Sequence, residues 1–215
     1  LAVIAGLEAS SRIARLHDDP GHEQAWSKAA AEVATAFERH FFHEDEGRYA
    51  RMAYPQPDGD LHLDMTVDAA LSGLFLFDEG RASQERTRQT MDAVEDRLRV
   101  RTAVGGLARY EGDRYCARHD ARADLPGNPW ILTSLWMADW HLLRSSDDDG
   151  LARADAWIAW AARQATDAGL LPEQLDARTG EHLSVRPLTW SHSTFLSTSI
   201  KRDRLASKLR ARAKI

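Results

Sequence analysis

The sequence contains one cysteine in 215 residues and no long apolar run. The single thiol, Cys116, cannot form an internal disulfide, which excludes a small fold held together by disulfides. No uninterrupted apolar stretch reaches the roughly 18 residues that a membrane-spanning helix needs, so we expect no membrane partner. Hydrophobic residues make up 43% and charged residues 28%, a composition typical of a globular protein with its own core.

Excess charge of either sign is also small. The chain has 28 Lys and Arg against 33 Asp and Glu, a net charge of −5, so nothing attracts it broadly to nucleic acid. The exception is the last stretch, "KRDRLASKLRARAKI". We interpret residues from about 200 to 215 as a basic tail or a solvated helix end rather than a nucleic-acid arm.

Helical periodicity dominates the sequence, and the alternation typical of strands is scarce. Seven candidate helices can be read from the spacing of apolar residues. They are about 3–16, 26–41, 64–77, 83–100, 129–143, 151–166, and one that begins near 189.

The composition of the helices alternates along the chain. "MTVDAALSGLFLF" and "PWILTSLWMADWHLL" carry one formal charge each and are apolar nearly all round, as buried helices are. The helices that follow them, within 83–100 and 151–166, are charged on one side. Alternating inner and outer helices predict an all-α fold, an α/α barrel or toroid, in which the loops before the inner helices share one face.

The unusual residues lie in those loops. Asn128 followed by Pro129 is typical of a helix start, which would place Trp130 at the rim of the toroid. If the toroid is correct, the loops bring together Arg109, Trp130, Glu173 and Trp190. The alternatives stay open at this point, because a tryptophan is often a core residue and a loop glutamate usually faces solvent.

Together these residue types suit a carbohydrate ligand. Flat indole rings stack on sugar rings, and an arginine fork fixes hydroxyl oxygens. A carboxylate at the edge of such a pocket can take a proton from a water molecule that attacks the anomeric carbon.

Two long segments resemble glycoside hydrolase family 15, the glucoamylase and glucodextranase family. They are "PEQLDARTGEHLSVRPLTWSHSTFL" and "ARYEGDRY" followed by "GNPWILTSLW", in the family's order and spacing. The opening "LAVIAGLEASSRIARLHDD" is similar to the family helix that follows its acid-bearing loop. The resemblance implies an (α/α)6 barrel of the six-hairpin glycosidase type, of which this chain, 1–215, would be the C-terminal portion.

The resemblance also implies roles for individual residues. Glu173 matches the general base of a single displacement with inversion, and Arg109 matches an arginine that holds the innermost glucosyl unit. Trp130 and Trp190 match aromatic residues that line the pocket. The implied enzyme is an inverting, exo-acting α-glucoside hydrolase, similar to a glucan 1,4-α-glucosidase, that releases β-glucose from an oligo- or polysaccharide substrate. The linkage preference, α-1,4, α-1,6 or α,α-1,1, stays open. We expect no cofactor and no metal site.

The family's general acid lies in a Trp-Glu-Glu segment before the first helix of this chain, and no such segment is present. Leu1 is not an initiator methionine, and Glu8 in the middle of a helix is a poor substitute. We therefore expect a longer protein, in which the remaining N-terminal part supplies the acid. The alternatives are a catalytically silent carbohydrate-binding or regulatory toroid and, among enzymes, a trehalose hydrolase.

Other candidate groups are weaker. The histidines lack the paired spacing of a metal site, and His119 with Asp120 forms an isolated pair. His192 lies two residues after Trp190 and has either a structural role or a role in orienting substrate. Cys116 is expected to be a buried, inert thiol.

Overall fold

The computed structural model describes residues 1–118 and 124–212. Seven α-helices lie within these ranges, as the periodicity predicts. They are α1 (Ala2–Leu16), α2 (Pro20–Phe41), α3 (Gly73–Leu76), α4 (Glu85–Leu98), α5 (Ile131–Arg144), α6 (Asp148–Arg163) and α7 (Thr189–Arg212).

Eight short strands accompany the helices and form three small antiparallel sheets. The strands are β1 (Phe42–His43), β2 (Arg48–Tyr49), β3 (Met52–Pro55), β4 (Leu61–Asp64), β5 (Leu107–Ala108), β6 (Pro129–Trp130), β7 (Gln174–Leu175) and β8 (His182–Leu183). Strands β1 and β2 pair, β3 and β4 pair, and the last four form a sheet in the order β5-β6-β7-β8.

The chain divides into two compact units. The first comprises Leu1–Thr66 and Gly73–Thr90, and the second comprises Val67–Ser72 and Met91–Ile215. In the first unit, α1 and α2 pack together as a helical hairpin. Helix α2 begins six residues before the predicted range of 26–41, because Asp19 accepts a hydrogen bond from the backbone N–H of His22 and Pro20 fills the first helical position.

The core of the second unit lies around α5, which packs against both α6 and α7. Ten of its 14 residues are buried, as its nearly uncharged composition predicts. One apolar cluster joins strand β7 to helices α5 and α6. It consists of Ile131, Leu135, Trp160, Ala161, Leu171 and Leu175.

The helix predicted over 64–77 is wrong for most of its length. Only a 3₁₀ turn, Ala69–Ser72, and the four-residue α3 are helical. The backbone before them is instead bonded to a distant segment: Ala69 N–H donates to the carbonyl of Arg109 at 2.8 Å, and Glu111 N–H donates to Val67 at 3.0 Å. These tertiary hydrogen bonds outweigh the local helical pattern.

The predicted start of the fifth helix is also wrong by two residues. Pro129 and Trp130 form β6, and α5 begins only at Ile131. Trp130 is 7% exposed, so it lies in the sheet rather than at an open rim.

Two expectations about the surface can be compared with the structure. The basic stretch from about 200 continues α7 as far as Arg212, so its described part is a helix end. Cys116 is exposed rather than buried, which corrects the expectation for the thiol. None of the described helices combines the length and apolar composition that a membrane crossing requires.

Candidate active site

The four-stranded sheet brings three of the predicted site residues onto neighbouring segments. Arg109 directly follows β5, Trp130 lies in β6, and Glu173 directly precedes β7. The register pairs Trp130 with Leu107 on one side and with Gln174 on the other. The backbones of Arg109 and Glu173 are therefore about 10 Å apart across the sheet and about 10 Å apart along it.

The side chain of Arg109 shortens this separation. Its guanidinium carbon lies 4.7 Å from the centroid of the Trp130 ring, so the side chain turns back along the strand toward the pair of Trp130 and Gln174. The rings of Tyr110 and Tyr115 lie 4.9 and 5.2 Å from the same carbon. Three aromatic faces thus hold the cation by cation–π attraction.

Asp113 fixes the orientation of Arg109. Its two carboxylate oxygens accept hydrogen bonds from Nε and Nη2 of Arg109 at 2.9 and 2.8 Å. Burial by itself would lower the pKa of Arg109, but the hydrogen bonds and charge of Asp113 outweigh it and raise the pKa above its ordinary value. Arg109 is therefore a permanent cation with a fixed fork geometry.

Gly127 allows this aspartate to be packed so closely. Its φ is +152°, and a Cβ at this position would lie 2.9 Å from the Cβ of Asp113. The glycine of "GNPW" thus has a packing reason, since any side chain would displace the partner of Arg109.

The backbone of Glu173 is fixed on both sides. Its N–H donates to the carbonyl of Val185 at 2.9 Å, and its carbonyl accepts from the N–H of Ile131, the first residue of α5, at 3.1 Å. The side-chain oxygen Oε2 is buried and has no hydrogen-bond partner in the described structure. A buried carboxylate oxygen without a partner is costly in a folded protein and is typical of a group that awaits a ligand or water.

Two more polar atoms without partners belong to neighbouring residues. Nε1 of Trp130 and Nε2 of Gln174 are buried and donate to no described acceptor. The backbones of these two residues are paired, so the two free donors belong to neighbouring strands, and the free acceptor belongs to Glu173, directly before β7. A polyhydroxylated ligand, in which each hydroxyl both donates and accepts, matches such a set.

Asn128 is a site-building residue whose role the sequence did not reveal. Its side chain donates to Oε1 of Gln174 at 3.1 Å and accepts from the N–H of Ala177 at 3.3 Å. Asn128 therefore ties β6 to β7 across the sheet and does not cap α5. An Asn-Pro pair is typical of a helix start, so the local pattern favoured the wrong partner.

The first turn of α7 holds the segment that leads to Glu173. Ser191, fully buried, donates to the carbonyl of Pro172 at 2.8 Å, and Nε2 of His192 accepts from the N–H of Leu171 at 3.0 Å. The structure thus gives His192 a structural contact with the glutamate's loop.

Trp190 occupies the first turn of α7, as predicted, and is 55% exposed. Its ring meets the edge of Trp136 of α5, with centroids 6.0 Å apart. Trp190 therefore adjoins Ser191, which holds the glutamate's loop, but its own ring packs against Trp136.

The remaining candidates form no site in the structure. Glu8 is exposed in the middle of α1. No three metal-ligating side chains cluster within the part of the chain that the structure describes. His119 and Asp120 lie outside the described residues.

The comparisons with known proteins agree with this architecture. The family model for glycosyl hydrolases family 15 matches residues 1–151, a range that includes Arg109 and Trp130 but ends before Glu173. An uncharacterized glycosyl hydrolase of Methanocaldococcus jannaschii is 28% identical over 95% of this chain and 32% of its own length.

Solved structures show the same fold. A bacterial glucoamylase complexed with acarbose superposes with a TM-score of 0.77 at 19% identity, over 95% of this chain and 33% of that one. Glucoamylase from Saccharomycopsis fibuligera gives a TM-score of 0.67 at 18% identity, over 94% of this chain and 54% of that one.

The chain thus spans about a third of the archaeal relative and of the bacterial glucoamylase. Its seven helices and small sheets match the (α/α)6 barrel of these neighbours, which confirms the predicted fold class. With a family model that covers most of its length, the chain belongs to glycosyl hydrolase family 15.

Proposed function

We propose that this chain is part of an inverting, exo-acting α-glucoside hydrolase that releases β-glucose from α-glucans, with Glu173 as its general base. The observation that carries the proposal is the buried, partner-free Oε2 of Glu173, the residue directly before the strand that pairs with Trp130. An oxygen without a protein partner is available to a water molecule.

In this mechanism Glu173 accepts a proton from that water as it attacks the anomeric carbon. The stacked pair of Arg109 and Trp130 holds the glucosyl unit: the ring supports the guanidinium, and Nη1, which Asp113 leaves free, donates to a sugar hydroxyl. The rigid backbone bonds of Glu173 keep the base at a fixed distance from the bound sugar, which supplies the proximity that such a step needs.

Inversion requires a second carboxyl group, about 6.5 to 9.5 Å from the base, that protonates the departing oxygen. The buried Asp113 is unsuited to this role because both of its oxygens are bonded to Arg109. We assign the acid to a segment that precedes Leu1 in the full-length protein, so the remaining N-terminal part is the partner of this chain.

The acarbose complex of the bacterial glucoamylase supports an oligosaccharide as the ligand class. One experiment identifies both the substrate and the stereochemistry of its hydrolysis. The full-length protein is offered maltose, isomaltose and trehalose, and the anomers of the released glucose are followed by proton NMR before they equilibrate.

Inversion predicts β-glucose first from maltose or isomaltose, and one β- and one α-glucose from each trehalose. Preferred cleavage of trehalose would identify the enzyme as a trehalose hydrolase. An initial excess of α-glucose over the anomeric mixture that the reducing-end glucose of maltose contributes would refute inversion. Binding of the sugars without turnover would identify a silent binding module and refute the hydrolase.

A further inference from the structure

A concave surface lies in the same unit, and none of the residues that line it belongs to the candidate active site. It is a groove of about 530 Å³ between α4 and α6, with the C-terminal half of α5 below it. We call it the α4–α6 groove. The residues that matter for its chemistry are Glu95, Arg99, His141, Arg153, Trp160 and Arg163.

The charge of the groove is opposite to that of the whole chain. Three guanidiniums, of Arg99, Arg153 and Arg163, line it against the single carboxylate of Glu95. Both oxygens of Glu95 are occupied, one by Arg99 and the other by His141 at 3.1 Å. In the described structure neither Arg153 nor Arg163 has a salt bridge, so two positive charges are left uncompensated in a chain of net charge −5.

The two free arginines lie on one face of α6. They are separated by ten residues, about 15 Å along a helix, and Trp157 and Trp160 lie between them at helical spacing on the same face. Arginine side chains extend far enough to reach toward each other over a small ligand. The guanidinium of Arg99 lies 4.6 Å above the Trp157 ring and presents a third donor group in the middle.

The opposite wall is backbone without side chains. Gly106 has a φ of +88°, and a Cβ there would lie 2.3 Å from Cζ2 of Trp160. The chain can therefore lie directly against the ring of Trp160, whose Nε1 donates to the carbonyl of Val104 at 2.8 Å. These contacts fix the backbone of this wall against Trp160.

We propose that the α4–α6 groove binds a small phosphate monoester. An excess of two positive charges matches the charge of about −1.5 to −2 that a phosphate monoester carries at neutral pH. Guanidinium forks bind phosphate oxygens in pairs, and the volume is within the range of about 300 to 1,000 Å³ for small-molecule sites. The phosphate lies between the two free arginines, which reach it from either end of the α6 face, and the sugar or nucleoside extends from it out of the groove.

Isothermal titration calorimetry on the purified protein tests this proposal. The probes are glucose 6-phosphate, adenosine monophosphate, inorganic phosphate and, as the neutral control, glucose. One of the two esters should bind, more tightly than inorganic phosphate does, and glucose should not compete. The ester that binds more tightly shows whether the ligand is a sugar phosphate or a nucleotide.

Variants locate the site. Replacing both Arg153 and Arg163 with Gln should weaken ester binding at least about tenfold, because both phosphate-binding forks are lost. Glu95→Gln should strengthen binding by removing the one carboxylate among the described residues that line the groove. Arg204→Gln is the matched control: it removes an exposed arginine from α7 and should change nothing.

The seven tryptophans of the chain give an independent measurement of where the ester binds. In protein labelled with 5-fluorotryptophan, the ¹⁹F resonance of Trp160, assigned with Trp160→Phe, should shift on addition of the ester. If neither ester binds, or if inorganic phosphate binds equally well, the proposal is wrong. Equal losses in the double variant and in Arg204→Gln would also overturn it.

Discussion

Replacing Asp113 with asparagine should destabilise the protein far more than the same change in another aspartate that pairs equally well with an arginine. Asp113 binds Arg109 through two hydrogen bonds, and its side chain is only 1% exposed. Asp155 binds Arg202 with the same two-bond geometry, at 2.8 and 2.7 Å, but its side chain is 40% exposed. Both pairs lie in the same compact unit, so they differ mainly in solvent access.

The expected difference follows from burial. Removing one partner of a buried ion pair costs about 3 to 5 kcal/mol. The loss should be smaller at Asp113, about 2 kcal/mol, because 34% of the Arg109 side chain is exposed and asparagine keeps one acceptor oxygen. Asp155→Asn should cost less than about 1 kcal/mol, as for other solvated pairs.

Urea unfolding at pH 7, followed by circular dichroism, measures both losses. A loss of about 2 kcal/mol corresponds to a melting temperature lower by roughly 4 to 8 °C for a chain of this size. Adding 1 M NaCl should reduce the effect of Asp155→Asn but leave most of that of Asp113→Asn, because salt screens exposed charges first. Equal losses in the two variants would refute the reasoning.

Two further predictions concern a close contact and an aspartate. Gly106→Ala should lower the free energy of unfolding by about 3 kcal/mol in a thermal unfolding experiment, because the new methyl group overlaps Trp160. Gly112→Ala is the control: its φ of +77° is similar but the space around it is open, so it should cost only about 1 kcal/mol. Similar losses in the two variants would exclude the overlap. The N–H of Thr66 donates to Asp64 and lowers the pKa of that carboxyl to about 2. The stability that Asp64 contributes is therefore present above its ordinary pKa of about 3.9 and is lost as the pH falls toward 2. Asp64→Asn should flatten the fall in urea midpoint over this range, and parallel pH profiles would contradict the assignment.

The sequence predicts the helices better than it predicts the sheet. Long amphipathic or apolar segments such as α2 and α5 carry many repeats of the helical period, so their existence was predicted correctly, although α2 begins six residues earlier than predicted. Two-residue strands such as β6 have no period to detect. They are created by hydrogen bonds to partners more than 20 residues away, as between Trp130 and Leu107.

The candidate site was predictable to a similar degree. Arg109, Trp130 and Glu173 do lie on adjacent segments. This was predictable because the loops before the inner helices of a toroid share one face. The residues that hold them in place were missed. Asp113 had a visible cue, an acidic residue four positions after Arg109, whereas nothing local indicates that Asn128 bonds Gln174 rather than a helix end.

The central claim is that Glu173 and the stacked pair of Arg109 and Trp130 act on one bound sugar, and the turnover of Glu173→Gln in the full-length protein tests it most directly. Glu181→Gln is the matched control, since Glu181 lies in the same segment and is bonded to Arg118 at the surface. We expect Glu173→Gln to lower kcat at least about a hundredfold while sugar affinity is largely kept, and Glu181→Gln to leave kcat unchanged. Near-normal turnover in Glu173→Gln would contradict the account.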